Sequence, residues 1–348
     1  MSFIAVLFAL ILEQARPLGR NNWVHVGMRL WARLCSHNLD AGQTYQGWMV
    51  WTAVVLFPAL LALAVHLLLW DVHGLLAFAW SVGILYVTLG FRQFSHHFTH
   101  IRDALEDGNE PTARQMLAQW QQVDASELPR SQIVRHVIEF SVLSAHRHVF
   151  GVLAWFSVLA AFGLGPAGAV LYRMAEFVAR YWVFKNHQKG AAIGEGPSPA
   201  LQLAAVQAWQ VIDYLPTRIT ALGFAVVGSF EDAIDAWRNY STQTTPPSAL
   251  PMQAALNYAS RSDGILLAAT SGAVNLRLGG QLLKTAPAFD EVSTPSAGPV
   301  PDSGLGMGPV AGREPEVAHL RSIVGLVWRS VVLWMAMLAL LTLARLLG

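Results

Sequence analysis

Residues 48–69, WMVWTAVVLFPALLALAVHLLL, decide the class of this protein. The run contains no Asp, Glu, Lys or Arg, and a helix of about 20 apolar residues rising 1.5 Å per residue crosses the hydrocarbon core of a bilayer. Trp48 and Trp51 open it, where an aromatic belt meets the water interface. Asp71, His73 and Gly74 interrupt it, and a second apolar run, Leu75 to Phe91, follows at once. The two runs read as a helical hairpin with a short turn. Arg16, Arg20, Arg29 and Arg33 precede the hairpin, and Arg92, Arg102 and Arg114 follow it. An excess of arginine on both flanks puts both in the cytoplasm.

The rest of the chain agrees. Of 348 residues, 54% are hydrophobic and only 13% charged, against roughly 25% charged in soluble domains. A net charge of +1 is too small for binding driven by phosphate neutralisation, so nucleic acid is excluded as a partner. Cys35 is the single cysteine, which excludes an internal disulfide framework and any multi-cysteine metal site.

Working outward, Ser2 to Leu12 is apolar but too short to span alone, and it lacks the basic start and small-residue cleavage site of a signal peptide. It reads as an interfacial or re-entrant helix packed on the other segments. A third apolar region, Val149 to Leu171, is broken by Gly163-Leu164-Gly165-Pro166. It either crosses once with a kink or dips in and returns. Val327 to Leu347, with Arg329 and Arg345 able to snorkel near its ends, is a C-terminal span. Pro287 to Pro315, rich in Pro, Ser, Gly and Ala, reads as a flexible linker that tethers this span. Strand-like alternation is scarce. Phe91, Phe94, Phe98, Ile101 and Leu105 recur at three and four residues, the apolar face of a helix. The expected fold is all-α, a polytopic integral membrane protein with helical cytoplasmic segments.

On the other face of that helix stand His96, His100, Asp103 and Asp107. Two histidines four apart with a carboxylate one turn on can chelate a divalent metal, and the same spacing also makes an ordinary solvated stripe. Arg135 and Glu139, four apart, form an intrahelical ion pair. His146-Arg147-His148, just before the third apolar region, suit lipid phosphates. Around Pro216 a helix break can aim Asp213 and Arg218 into one site, or serve only as a kink. Gly264, Ala268, Ala269, Gly272 and Ala273 allow close helix packing. Neither a phosphate-binding GxxxxGK[ST] loop nor a G-x-S-x-G elbow occurs.

Four stretches in order resemble the CobD/CbiB family of cobalamin biosynthesis: Arg102 to Gly108 with Ala113-Arg114; Asp124 with Ile133-Val134-Arg135 and Val137-Ile138-Glu139; Tyr214-Leu215-Pro216-Thr217-Arg218; and Ser262 to Leu278-Gly279-Gly280. The resemblance covers residues 75–284. It implies a membrane protein joining an aminopropanol phosphate, or a related amine, to a carboxylate of adenosylcobyric acid, giving adenosylcobinamide phosphate. Such a step requires an activated carboxyl, charge neutralisation on phosphates and a cation to hold the phosphorylated amine. The resemblance therefore implies Mg²⁺ and ATP as cofactors, Glu139 and Asp124 as catalytic residues, and Asp103 and Asp107 for the metal, with Asp124 also a metal candidate. It implies Arg114, Arg135, Asp213, Arg218 and Gly264 for substrate and phosphate.

The departures thin the polar groups. Val123 stands where the family has Arg, Leu143, Ser144 and Arg147 where it has Glu-Asn and Asp, Trp209 and Gln210 where it has paired aspartates, Asp213 where it has Asn, and Leu267 where it has Glu. The N-terminus and Asp213 to Arg218 look more like the related AmpE branch, inner-membrane proteins associated with signalling for β-lactamase induction. The second expectation is accordingly a non-enzymatic sensor or regulator. A transporter is disfavoured, since His66 is the sole ionisable residue in mid-span. Expected partners are the lipid bilayer of a bacterial inner membrane, crossed several times, and a corrinoid, with oligomeric state open. The expected divisions are 1–45, interfacial helix and cytoplasmic segment; 46–91, transmembrane hairpin; 92–148, cytoplasmic helices; 149–172, transmembrane or re-entrant; 173–284, helices bearing the motifs; 285–316, linker; and 322–348, C-terminal span. Asp103, Asp107, Asp124, Arg135, Glu139 and Arg218 are expected to converge on one pocket at the cytoplasmic surface.

Overall fold

The computed structural model describes residues 2–16, 23–121, 124–187, 196–242, 251–279 and 312–347. Residues 287–311 of the linker read at 287–315, and the side chain of His96, lie outside the described residues. The described residues are helical throughout, with one isolated parallel bridge, Leu276 to Arg313, and no strand. The all-α membrane class read from the sequence is the class observed.

The apolar hairpin is α3 (Thr44–Val72) followed by α4 (Gly74–Thr88). His73 makes the turn: its backbone N–H donates to the Leu69 carbonyl at the end of α3, and its Nδ1 accepts from the Leu75 N–H at 3.2 Å at the start of α4. One residue thus caps both helices. Helix α3 has a mean hydropathy of 2.4 over its most apolar window, of which only 22% is buried. Phe57, Leu60, Leu61 and Leu68 are left exposed, which suits a lipid-facing helix. Helix α4, at 15 residues, covers roughly 22 Å and is shorter than the hydrocarbon core. Before the hairpin, α1 (Ser2–Ala15) packs on α4 and on the last helix, burying Ala5, Val6 and Ala9, and α2 (Trp23–Leu39) packs on α3.

After the hairpin come α5 (Phe91–Glu106) and α6 (Glu110–Gln121). A 32-residue helix, Arg130–Ala161, then runs through α7 (Arg130–Ala145), a π turn (His146–Phe150) and α8 (Gly151–Ala161). It is long and apolar enough to cross a membrane, yet 72% of its apolar window is buried inside the protein. The sequence placed this span at 149–171. The structure starts it earlier because the helix continues unbroken through the π turn, and it ends it earlier because Gly163 and Gly165 adopt φ of +77° and +54°. These left-handed conformations turn the chain back. Helix α9 (Ala167–His187) then packs on α8, so the glycine break is a return.

Helices α10 (Pro199–Val227), α11 (Phe230–Thr242) and α12 (Pro251–Val274) complete the interior. Gly272 lies so close to the Asp232 carbonyl that a Cβ would sit 2.2 Å from it, the close packing expected of the small-residue stretch. Helix α13 (Val317–Leu347) begins ten residues before the apolar run read from sequence, and its Val317–Ala344 portion forms the third candidate span.

Candidate functional site

Two irregular helical turns face each other in the interior. A π turn widens the backbone ring by one residue and is frequent at functional sites. Here it carries His146, Arg147 and His148, which are 1%, 6% and 4% exposed. The sequence reading placed these three at the lipid interface. The structure buries them instead, because α9, α10 and α12 surround this stretch. Opposite, Pro216 lies inside α10, and without an N–H it leaves the Ile212 carbonyl short of its helical partner. Trp155 Nε1 supplies the missing donor at 2.9 Å. Gly151, just past the π turn, makes room for the Tyr172 ring, which a Cβ there would meet at 2.0 Å.

Asp213, one turn before Pro216 and 2% exposed, is the hub. Its Oδ1 accepts from Tyr172 Oη at 2.8 Å and faces His146 Nε2 at 3.0 Å, and its Oδ2 accepts from Thr217 Oγ1 at 2.9 Å. The other ring nitrogen of His146 lies 2.9 Å from Thr220 Oγ1, whose proton is donated to the Pro216 carbonyl. Both His146 nitrogens therefore face acceptors.

A second chain of charges adjoins the first. Arg147 donates to Asp263 of α12 at 2.5 Å. Arg173 donates to His148 Nδ1 at 2.6 Å and to Glu176 at 2.9 Å, and Arg180 donates to the other Glu176 oxygen at 3.0 Å. The three guanidiniums are thus paired with the carboxylates of Glu176 and Asp263. Isolated buried charges are costly, and pairing is what makes this arrangement tolerable. His25 on α2 borders the same network, where burial first, and then the charge of Arg173, pushes its imidazole down to about 4.

Two helical turns back along α7 lies a smaller cluster. Glu139 Oε1 accepts from the Gly279 N–H at 2.7 Å and lies 3.6 Å from Arg135 Nε. Arg135 donates to His136 Nε2 at 3.1 Å, which leaves His136 Nδ1, 3.5 Å from Glu139 Oε2, as a donor toward the carboxylate. Gly279 is held in place by its neighbours. Asn275 turns with φ +52°, and across the parallel bridge the Arg277 N–H donates to the Arg313 carbonyl while the Arg313 N–H donates to the Asn275 carbonyl. The Arg135/Glu139 motif and the Leu278-Gly279-Gly280 motif, 140 residues apart, therefore meet through one hydrogen bond.

The remaining sequence candidates have local partners. Asp103 is half exposed and pairs with Arg102 at 2.7 Å. Asp107 is exposed at the end of α5, where its backbone N–H returns to the Asp103 carbonyl. Asp124 accepts from the Ser126 N–H and hydroxyl at 3.1 and 2.6 Å in an exposed turn. Arg114 donates to the Leu128 carbonyl and pairs with Glu110. Arg218 donates to the Tyr214 carbonyl and lies 3.4 Å over the Tyr214 ring. Gly264 is a packing contact, where a Cβ would sit 2.0 Å from Tyr240 Oη. Arg135 and Glu139 are thus brought together, and Asp213 lies in the buried network. No three His, Cys, Asp or Glu side chains among the described residues converge to hold a metal ion, so this donor set does not fit a resident cation.

Sequence reasoning passed over Arg173, Glu176, Arg180 and Asp263. The first three recur at three and four residues along α9, a stripe of charge on one helical face that could have flagged them.

The pattern of the CobD/Cbib protein family matches residues 4–286. The cobalamin biosynthesis protein CobD of Stutzerimonas stutzeri is 26% identical over 343 residues, covering 97% of this chain and 96% of the relative. The protein of the same name from Chromobacterium violaceum is 31% identical over 199 residues, 57% of this chain and 55% of the relative. That of Leptospira interrogans is 28% identical over 210 residues, 60% and 59% of the two chains. No solved structure matches.

Proposed function

The chain belongs to the CobD/CbiB family, and from that premise we propose that it acts in cobalamin biosynthesis, in a bacterial inner membrane, by joining an aminopropanol phosphate or related amine to a carboxylate of adenosylcobyric acid. The observation that carries this reading is the Glu139–Gly279 hydrogen bond, which draws two of the four family-like motifs to one place. Near-full-length similarity to a relative named for cobalamin biosynthesis supports the pathway.

In this proposal Glu139 is the base or orienter for the attacking amine. The Gly279 N–H holds one of its oxygens, and Arg135 and His136 stand 3.6 and 3.5 Å from the carboxylate as ion-pair neighbours, so its orientation is set before substrate arrives. Arg135 is the nearest cation for the phosphate of the amine. Arg114 and Arg218 reach that role only by leaving the carbonyls they now cap. Mg²⁺ and ATP would activate the carboxyl, as the resemblance implies.

A second reading, a non-enzymatic sensor like the AmpE branch, is favoured by one observation: both oxygens of Asp213 are already occupied by protein partners. The discriminating experiment is deletion of the gene in a host that makes cobalamin. The ligase reading expects growth to require the amidated corrinoid, with adenosylcobyric acid failing to rescue. Normal growth of the deletion strain without supplement would overturn it.

A further inference from the structure

A cavity of about 540 Å³ lies at the turn end of the hairpin, away from the network described above. It is bounded by α1, α3, α4, the end of α8 and the Gly163–Gly165 turn. The volume falls in the range of small-molecule sites, roughly 300–1,000 Å³. Its walls are Phe78, Phe156, Leu67, Trp70 and small alanines, and no carboxylate, lysine or arginine is among its lining residues. Leu67 and Trp70 are about half exposed on the outside of the bundle, so the cavity reaches the lipid-facing surface.

Ser2, His66 and Ser81 bring polar side chains to this space, and the last two are bonded to each other. The Ser81 hydroxyl donates to the Ala77 carbonyl at 2.9 Å, so at 3.3 Å it accepts from His66 Nδ1. The imidazole is then the tautomer whose Nε2 carries a lone pair. Among the described residues no side chain is hydrogen-bonded to that nitrogen. The ring lies over Gly165, where a Cβ would meet it at 2.5 Å, so the turn is built to admit the imidazole.

We propose that this cavity binds a neutral amphiphile of the bilayer, one hydrocarbon chain ending in a hydroxyl that donates to His66 Nε2. An anionic head is disfavoured, because no lysine or arginine is among the described lining residues and the lone pair would repel it. A fully esterified lipid lacks the donor. The proposal is independent of the amide-forming reading.

The test uses the full chain in lipid nanodiscs with two photoactivatable probes of equal length, a diazirine fatty alcohol and its methyl ether. The proposal expects alcohol labelling concentrated on residues 66–70, 78–81 and 160–165, at least fivefold above the ether, and competed by a monoacylglycerol. Ala160→Trp, which fills the cavity, should reduce that labelling at least fivefold while leaving labelling of α13 unchanged. Equal labelling by both probes on the wild-type chain would overturn the proposal whether or not the variant folds, and would mark only general lipid contact.

Discussion

His146 Nε2 stands 3.0 Å from Asp213 Oδ1, and this contact joins a π turn in one helix to a proline-interrupted turn in another. Each irregularity alone exposes backbone groups that a packed interior must satisfy. Together they bring side chains from α7–α8, α9 and α10 within hydrogen-bond distance of one carboxylate.

Asp213→Ala should destabilise the protein by roughly 3–5 kcal/mol, because it leaves a buried imidazole, phenol and hydroxyl without their acceptor. His146→Ala should cost a comparable amount. The double variant should cost less than the sum, with a coupling of roughly 0.5–3 kcal/mol, read from denaturation in detergent. Strict additivity would show that the two side chains do not act as a pair.

Trp155→Phe keeps a ring in place but removes the donor to the Ile212 carbonyl, at an expected cost of roughly 1–3 kcal/mol. Pro216→Ala returns an N–H to the position one turn beyond Ile212. Combining the two should recover most of the loss. If Trp155→Phe melts like the parent, the carbonyl is satisfied by something else.

Much of the helical hairpin was legible because an uncharged apolar run as long as α3 has few alternatives to a spanning helix, and His73-Gly74 punctuates it at the observed turn, while α4 is shorter than a span. The break at Gly163–Pro166 was legible too, although sequence could not decide between kink and return. That choice depends on which neighbour α9 packs against, a tertiary fact. Arg135 with Glu139 followed from helical spacing, while the partner of Glu139, a backbone N–H 140 residues away, carried no side-chain signal. His146-Arg147-His148 misled for a physical reason. Basic residues beside an apolar run usually meet lipid phosphates, and here their counter-charges come from α9, α10 and α12, far off in sequence.

Both ends of the segment from 280 to 311 are pinned, since Arg277 and Arg313 are backbone partners at 2.8 Å. Its length can therefore change without moving the site. Deleting eight residues from 290–297 should leave accumulation in the membrane and thermal stability unchanged, because loop-closure entropy varies by only about 0.6 kcal/mol per doubling of length. Loss of accumulation would show that the segment docks on the bundle.

Reporter fusions after Gly42 and Gly108 should both report cytoplasm, as the arginine-rich flanks of the hairpin require. Opposite signals from the two fusions would mean that α3 and α4 do not return the chain to the side from which it started.

The central claim is tested most directly by purified full-length protein in nanodiscs, incubated with adenosylcobyric acid, aminopropanol phosphate, Mg²⁺ and ATP, with the corrinoid followed by mass spectrometry. The account predicts formation of the amide, and a fall on the order of 100-fold for Glu139→Gln, in line with loss of one acid–base group. That variant keeps an oxygen for the Gly279 N–H and should melt within a few degrees of the parent. Amide formation that is undisturbed in Glu139→Gln, or a wild-type protein that binds the corrinoid and never yields the amide, would contradict it.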